Sequence, residues 1–170
     1  MKENERINIP ESEPDPYAEN APIKAAIAEF YRTGNKNAIL ALLSILLRRM
    51  AEDGEAPAPM VDADHVMDAI DPETITVGED ITLERDLRLT MDTMMDGEGN
   101  QWIPLFTDTE ELERGTSANI RINAPIRYVL ESGLYSERAQ GVVINPFGTP
   151  LELPKEILRL VLERMEKPAD

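Results

Sequence analysis

The chain predicts an α+β fold: helices packed on a mainly antiparallel or mixed sheet of four to five strands. Three observations carry that expectation. Apolar residues recur at helical spacing near both ends and around 126–130. Residues 87–106 and 141–153 instead show alternating or continuous apolar runs of strand length. Helices and hairpin strands are mixed without regular β-α-β alternation. At 170 residues and 42% apolar composition, the chain can bury one core.

Residues 1–16 are polar and proline-bearing and read as a flexible tail, followed by a single domain over residues 17–167. Asn20-Ala21-Pro22 starts a helix, with Asn as the cap and Pro in the first turn, where its missing N–H costs nothing. Ile23, Ile27 and Phe30 form its core stripe. Gly34-Asn35 ends it, and Asn35 caps a second helix over about 36–50. That helix carries Ile39, Leu40, Leu42, Leu43, Ile45, Leu46 and Leu47. Apolarity nearly all round predicts a buried, central helix.

Ala56-Pro57-Ala58-Pro59 breaks the helical pattern, and Met60-Val61 begin a short strand. A weak helical turn is expected around Val66 to Ile70. Leu87, Leu89, Met91 and Thr93 alternate with more polar neighbours, which predicts one half-buried strand. Its hairpin partner is Gln101 to Phe106, across a turn at Asp96-Gly97-Glu98-Gly99-Asn100. Pro104 suits an edge or a strand end. Thr107-Asp108-Thr109-Glu110 has capping-box spacing and opens a short helix ending near Gly115. Asn123-Ala124-Pro125-Ile126 repeats the earlier helix-start signal, and Gly133 closes the helix that follows. Gly141 to Asn145 is an apolar strand for a central position. Asn145-Pro146-Phe147-Gly148 is a type I turn, Leu151–Leu153 the returning strand, and Pro154 the start of the last helix.

Charge is concentrated. Residues 52–86 hold twelve acids and one base, a net of −11 out of −16 for the chain. This acidic insertion reads either as a solvated loop or as a surface for a basic partner. Nucleic acid and anionic membranes are disfavoured by like charge. No apolar run reaches the roughly 20 residues of a membrane span, and a cytoplasmic location is expected. Asp62, Asp64, Asp68 and Glu73 match four positions of a calcium loop, but Val66 and Met67 stand where an oxygen ligand and a glycine belong.

Reaction classes thin out quickly. The absence of cysteine removes thiol nucleophiles, thiolate zinc sites and iron–sulfur clusters. His65 is the single imidazole and reads as a loop residue among acids. No serine lies in Gly-x-Ser-x-Gly, and Gly97-Glu98-Gly99 has an acid where a pyrophosphate would approach. Trp102 and Phe147, at a strand start and a tight turn, read either as core plugs or as partly exposed anchors for a partner.

Two stretches carry a family resemblance. One is Trp102-Ile-Pro-Leu-Phe106-Thr107-Asp108 before an acidic helix; the other is Gly141-Val-Val-Ile-Asn145-Pro146-Phe147-Gly148 before Leu151-Glu-Leu153 and an amphipathic helix. With the front helical pair, the chain over about 20–166 resembles the N-terminal domain of the bacterial SseB family, named for enhanced serine sensitivity. The stretch 62–86 is longer than the family's usual link, and the chain ends at Asp170 without room for the second domain some relatives carry. The resemblance implies no established reaction and no catalytic residues.

The expectation is therefore a non-enzymatic protein-interaction module without a cofactor, whose acidic segment steers a basic protein partner. Candidate partner-binding residues are Asp62, Asp64, Asp68, Asp71, Trp102 and Phe147. Homo-oligomerisation stays open. The alternative is a carboxylate-dependent, metal-assisted hydrolase with Asp62, Asp64 and Asp68 as oxygen ligands to a hard cation.

Overall fold

A computed structural model of the chain describes residues 15–62, 73, 89–115 and 120–167. After a 3-10 turn at Ala18–Asn20 come helices α1 (Ala21–Thr33) and α2 (Lys36–Ala51). Strands β1 (Glu55–Asp62), β2 (Leu89–Met91), β3 (Met94–Met95) and β4 (Gln101–Leu105) follow, then helix α3 (Thr109–Glu113). The chain continues as β5 (Ile120–Pro125), α4 (Ile126–Tyr135), β6 (Ala139–Ile144), β7 (Leu151–Pro154) and α5 (Lys155–Glu166).

The α+β class stands, with the described strands divided between two sheets. One has the order β2-β1-β5 and is antiparallel; the other is β3-β4-β6-β7. In the second sheet β4 and β6 run parallel, flanked by antiparallel partners. Ala56, Ala58 and Met60 of the first sheet share one core with Ile103, Leu105, Val142 and Ile144 of the second and with α1, α2, α4 and α5. Among the described residues no helix is long and apolar enough to cross a membrane.

The expected single strand over 87–94 is two strands in different sheets. Leu89–Met91 pairs with β1, the chain breaks at Asp92-Thr93, and Met94–Met95 pairs with β4. The inward face shifts by one residue across the break: Leu89 and Met91 lean inward in β2, whereas in β3 Met94 does so and Thr93 is exposed. The weak helical turn expected at Val66 to Ile70 lies outside the described residues.

β1 begins at Glu55 rather than at the expected Met60, so the prolines that end the helical pattern lie inside a strand. The Gly54 carbonyl accepts from Ile126 on the β5 side, whereas the Glu55 and Pro59 carbonyls accept from the Asn20 side chain and from Asp92 N on the other side. Pro57 and Pro59 share the parity of Glu55, so their missing N–H groups face away from β5, where β2 reaches only as far as Met60. Pro104 is tolerated likewise: Leu105 turns its carbonyl toward β6, so Pro104 faces the side where β3 has already ended.

Asn123 does not cap a helix. Residues 120–125 form β5, Pro125 stands at the cap position without a side-chain hydrogen bond, and Asn123 accepts from the Tyr17 hydroxyl. Gly133 lies within α4 rather than closing it. A β-carbon there would come within 2.5 Å of Val142 Cγ2, so glycine allows α4 to seat on β6. Asn20 occupies the cap position of α1 but reaches the Glu55 and Thr107 carbonyls instead and accepts from Arg49 Nε at 2.9 Å. Arg49 is 5% exposed, and Glu19 and Glu52 accept from its Nη1. A buried guanidinium needs such partners.

Asn35 does cap α2, accepting from Asn37 N at 2.9 Å. The helix is not enclosed on every side. Ala38, Leu42, Leu46 and Met50 form its buried stripe, while Leu40 is 61% exposed. The difference sets a stability prediction. Leu46→Ala should cost about 2–5 kcal/mol in urea unfolding. Leu40→Ala should stay within about 0.5 kcal/mol. Equal costs would mean that α2 is enclosed all round.

Candidate functional site

The parallel strands β4 and β6 end side by side. Beyond Leu105 the chain continues as Phe106-Thr107-Asp108; beyond Ile144, as Asn145-Pro146-Phe147-Gly148. The two segments are locked together. Asn145 N donates to the Leu105 carbonyl at 2.9 Å. Asn145 Oδ1 accepts from Thr107 N at 3.0 Å, and Asn145 Nδ2 donates to Thr107 Oγ1 at 3.0 Å. The Asn145 side chain thus supplies the next rungs of the ladder where β6 stops. Its φ of 48° is left-handed, a conformation asparagine adopts more readily than most residues.

The turn is as expected: Gly148 N donates to the Asn145 carbonyl at 3.1 Å. It presents Phe147, which is 39% exposed and stacked on buried Phe106 at 6.1 Å between ring centres. Gly115 packs directly on the Phe147 ring, since a β-carbon there would fall 2.5 Å from Cγ. The Phe147 side chain is therefore both accessible and firmly placed.

On one side of the turn lies a cavity of about 370 Å³ lined by Lys24, Ile27, Glu111, Arg114, Asn145 and Thr149. Helix α3 is capped by Asp108, one residue later than the expected Thr107, through Asp108 Oδ1 accepting from Glu111 N. Glu111 is 3% exposed. Its Oε1 meets Lys24 Nζ at 3.0 Å and Arg114 Nη2 at 3.7 Å; its Oε2 has no hydrogen-bond partner among the described residues and lies over Gly148. Lys24 also reaches Asp108 at 3.3 Å. The Glu111 hydrogen bond is the main reason the Lys24 ammonium titrates above the ordinary lysine range, against the opposing effect of burial. Both cations facing the cavity are thus already matched by carboxylates.

On the other side is a cleft of about 260 Å³ between Pro59, Asp92, Met94, Pro104, Phe106 and Phe147. Trp102, opposite Met94 in the β3–β4 pair, is 8% exposed and donates from Nε1 to Asp96 Oδ2 at 3.0 Å. Asp96 Oδ1 accepts from Glu98 N and Asn100 N, so the stretch 96–100 is the expected hairpin turn. The Trp102 donation, with the Asn100 and Glu98 amides behind it, holds the Asp96 carboxyl down at about 2.

The structure places Trp102 and Phe147 on different terms: Trp102, near the start of β4, is buried, and Phe147, in the turn after β6, is accessible. Asp62 ends β1 opposite Leu89. Asp64, Asp68 and Asp71, with His65, lie outside the described residues. Among the described residues no three acidic or histidine side chains gather as a metal site would require. Sequence reading missed the roles of Lys24, Asp92, Thr107 and Glu111. Only Asn145 carried a signal, as an asparagine at the end of an apolar strand.

An α+β domain whose two signature segments meet at the ends of parallel strands is the class these observations define. Residues 23–159 match the family model described as the SseB protein N-terminal domain, and the chain belongs to that family. No curated protein and no solved structure matches it.

Two predictions follow from the geometry. Asn145→Ala leaves the Thr107 N–H buried without an acceptor, so it should cost about 1–3 kcal/mol in denaturant unfolding. A cost below about 0.5 kcal/mol would show that the clamp is dispensable. Asp96 has a lowered folded-state pKa, so its contribution is complete above about 3.8 and is lost as pH falls through about 2. The Trp102 indole N–H resonance should therefore hold its position from pH 7 down to about 4 and titrate with a midpoint near 2. A midpoint at the ordinary aspartate value would contradict the bond.

Proposed function

We propose that this domain is a cytoplasmic protein-interaction module without a reaction of its own. Its acidic segment steers a basic protein partner, which then docks at the Phe147 turn. The observation that carries the reading is Phe147 itself: a large apolar side chain, 39% exposed, stacked on Phe106 and packed against Gly115. Pre-placed aromatic side chains are what interfaces use as anchors, because little freedom is lost on docking. The net −11 over residues 52–86 supplies long-range attraction. Trp102 supports the hairpin beside the turn from within, and Asp62, Asp64, Asp68 and Asp71 belong to the steering charge.

The test is affinity capture from native lysate with the full chain at low and high salt, followed by association kinetics on the captured protein. Phe147→Ser should lower capture about tenfold, equivalent to about 1.4 kcal/mol, with the circular dichroism spectrum retained. Replacing Asp62, Asp64, Asp68 and Asp71 together by asparagine should slow association several-fold at about 0.05 M salt and much less at about 0.5 M, where the Debye length falls to a few ångströms. Undiminished capture by Phe147→Ser refutes the docking site. Unchanged low-salt association of the asparagine variant refutes the steering.

A further inference from the structure

We propose that the cleft beside Phe147 receives a long basic side chain, lysine or arginine, from the protein partner; this rests on the interaction reading above. The cleft is built of two unlike parts. Pro59, Met94, Pro104, Phe106 and Phe147 make apolar walls. Asp92, at the break between β2 and β3, is the one carboxylate among its lining residues. The Asp92 backbone N–H is spent on the Pro59 carbonyl at 3.1 Å. Its half-buried carboxylate, in contrast, has no ion pair and no hydrogen bond among the described residues.

The contrast with Asp96, four residues on, is informative. The Asp96 carboxylate takes donors from Glu98, Asn100 and Trp102. The Asp92 carboxylate, half-buried and without a protein donor among the described residues, keeps its acceptor positions open to solvent and to an incoming cation. A lysine or arginine side chain matches both parts, since its methylene stem covers apolar surface while its head carries the charge. The volume agrees. About 260 Å³ lies just below the roughly 300–1,000 Å³ of small-molecule pockets and suits one side chain. The larger cavity behind α1 is a weaker candidate, because Lys24 and Arg114 are already paired there with Glu111.

The break in the strand makes the site. Asp92 N still extends the β1–β2 ladder to the Pro59 carbonyl, and just beyond it the chain passes to the other sheet, which leaves Asp92 at the cleft between Pro59 and Met94. On the far wall Gly115 and Phe106 hold Phe147 in place. The receptor is thus formed before the ligand arrives.

The test is an NMR titration of the full chain with acetyl-Gly-Gly-Xaa-Gly-Gly-amide, where Xaa is lysine, arginine or norleucine. Norleucine keeps the stem and lacks the charge. The lysine and arginine peptides should shift the amides of Asp92, Met94, Gly115 and Phe147 and bind at least about fivefold more tightly than the norleucine peptide. Asp92→Asn should reduce that preference to less than about twofold. Equal binding of norleucine, an undiminished preference in Asp92→Asn, or shifts centred elsewhere overturns the inference. If it is overturned while Phe147→Ser still lowers capture about tenfold, the interaction reading survives alone; if capture is also undiminished in Phe147→Ser, both fall.

Discussion

The hydrogen bonds between Asn145 and Thr107 are the constraint on which the rest of the site depends. Two parallel strands that end together must hand their chains to unlike structures, a helix on one side and a tight turn on the other. Backbone groups at that point lie in the core and need partners. Asn145 provides them with its side chain while its own backbone turns left-handed. The turn direction of β6 and the start of α3 are therefore set by one residue. Phe147 follows two positions later and inherits its placement, stacked on the residue that precedes Thr107.

Buried charge reinforces the same joint from two directions. Asn20 reaches the Thr107 carbonyl and is itself held by Arg49, so the end of α2 is tied to the end of β4. Lys24 of α1 bridges Asp108 and Glu111 of α3. Pairs of this kind contribute little net energy once desolvation is counted, and their clearest effect is on geometry: each cation accepts one arrangement of its partners. Apolar burial by Leu42, Leu46, Ile144 and Leu158 supplies the stability, and the polar joint decides where the turn points.

Sequence pattern revealed the elements whose signals are local. The cap at Asn35, the turns at 96–100 and 145–148, and the central strand before Asn145 follow from residue chemistry within a few positions. It failed where a partner distant in sequence overrides the local rule. Asn20 looks like a cap and serves a buried arginine instead; Asn123 looks like a cap and lies in a strand. Prolines that argue against a strand are tolerated in β1, because their missing N–H groups face away from β5, and on that side Pro59 still joins the neighbouring chain through its carbonyl, which accepts from Asp92 N. The α2 pattern overstates burial, since apolar composition does not reveal how many elements will pack around a helix. The site was legible only as Phe147 and its turn. Asp92 appeared to be an ordinary polar position of one alternating strand, whereas the alternation shifts phase just after it, at the passage from one sheet to the other.

The most direct measurement is amide hydrogen exchange at Thr107. If Asn145 continues the ladder, the Thr107 N–H opens only with the core and should exchange as slowly as the Ile144 amide, in the most protected class of the domain. Exchange at the rate of the exposed loop amides, such as Thr149, would show that the strand ends are not joined, and the placement of Phe147 would lose its cause.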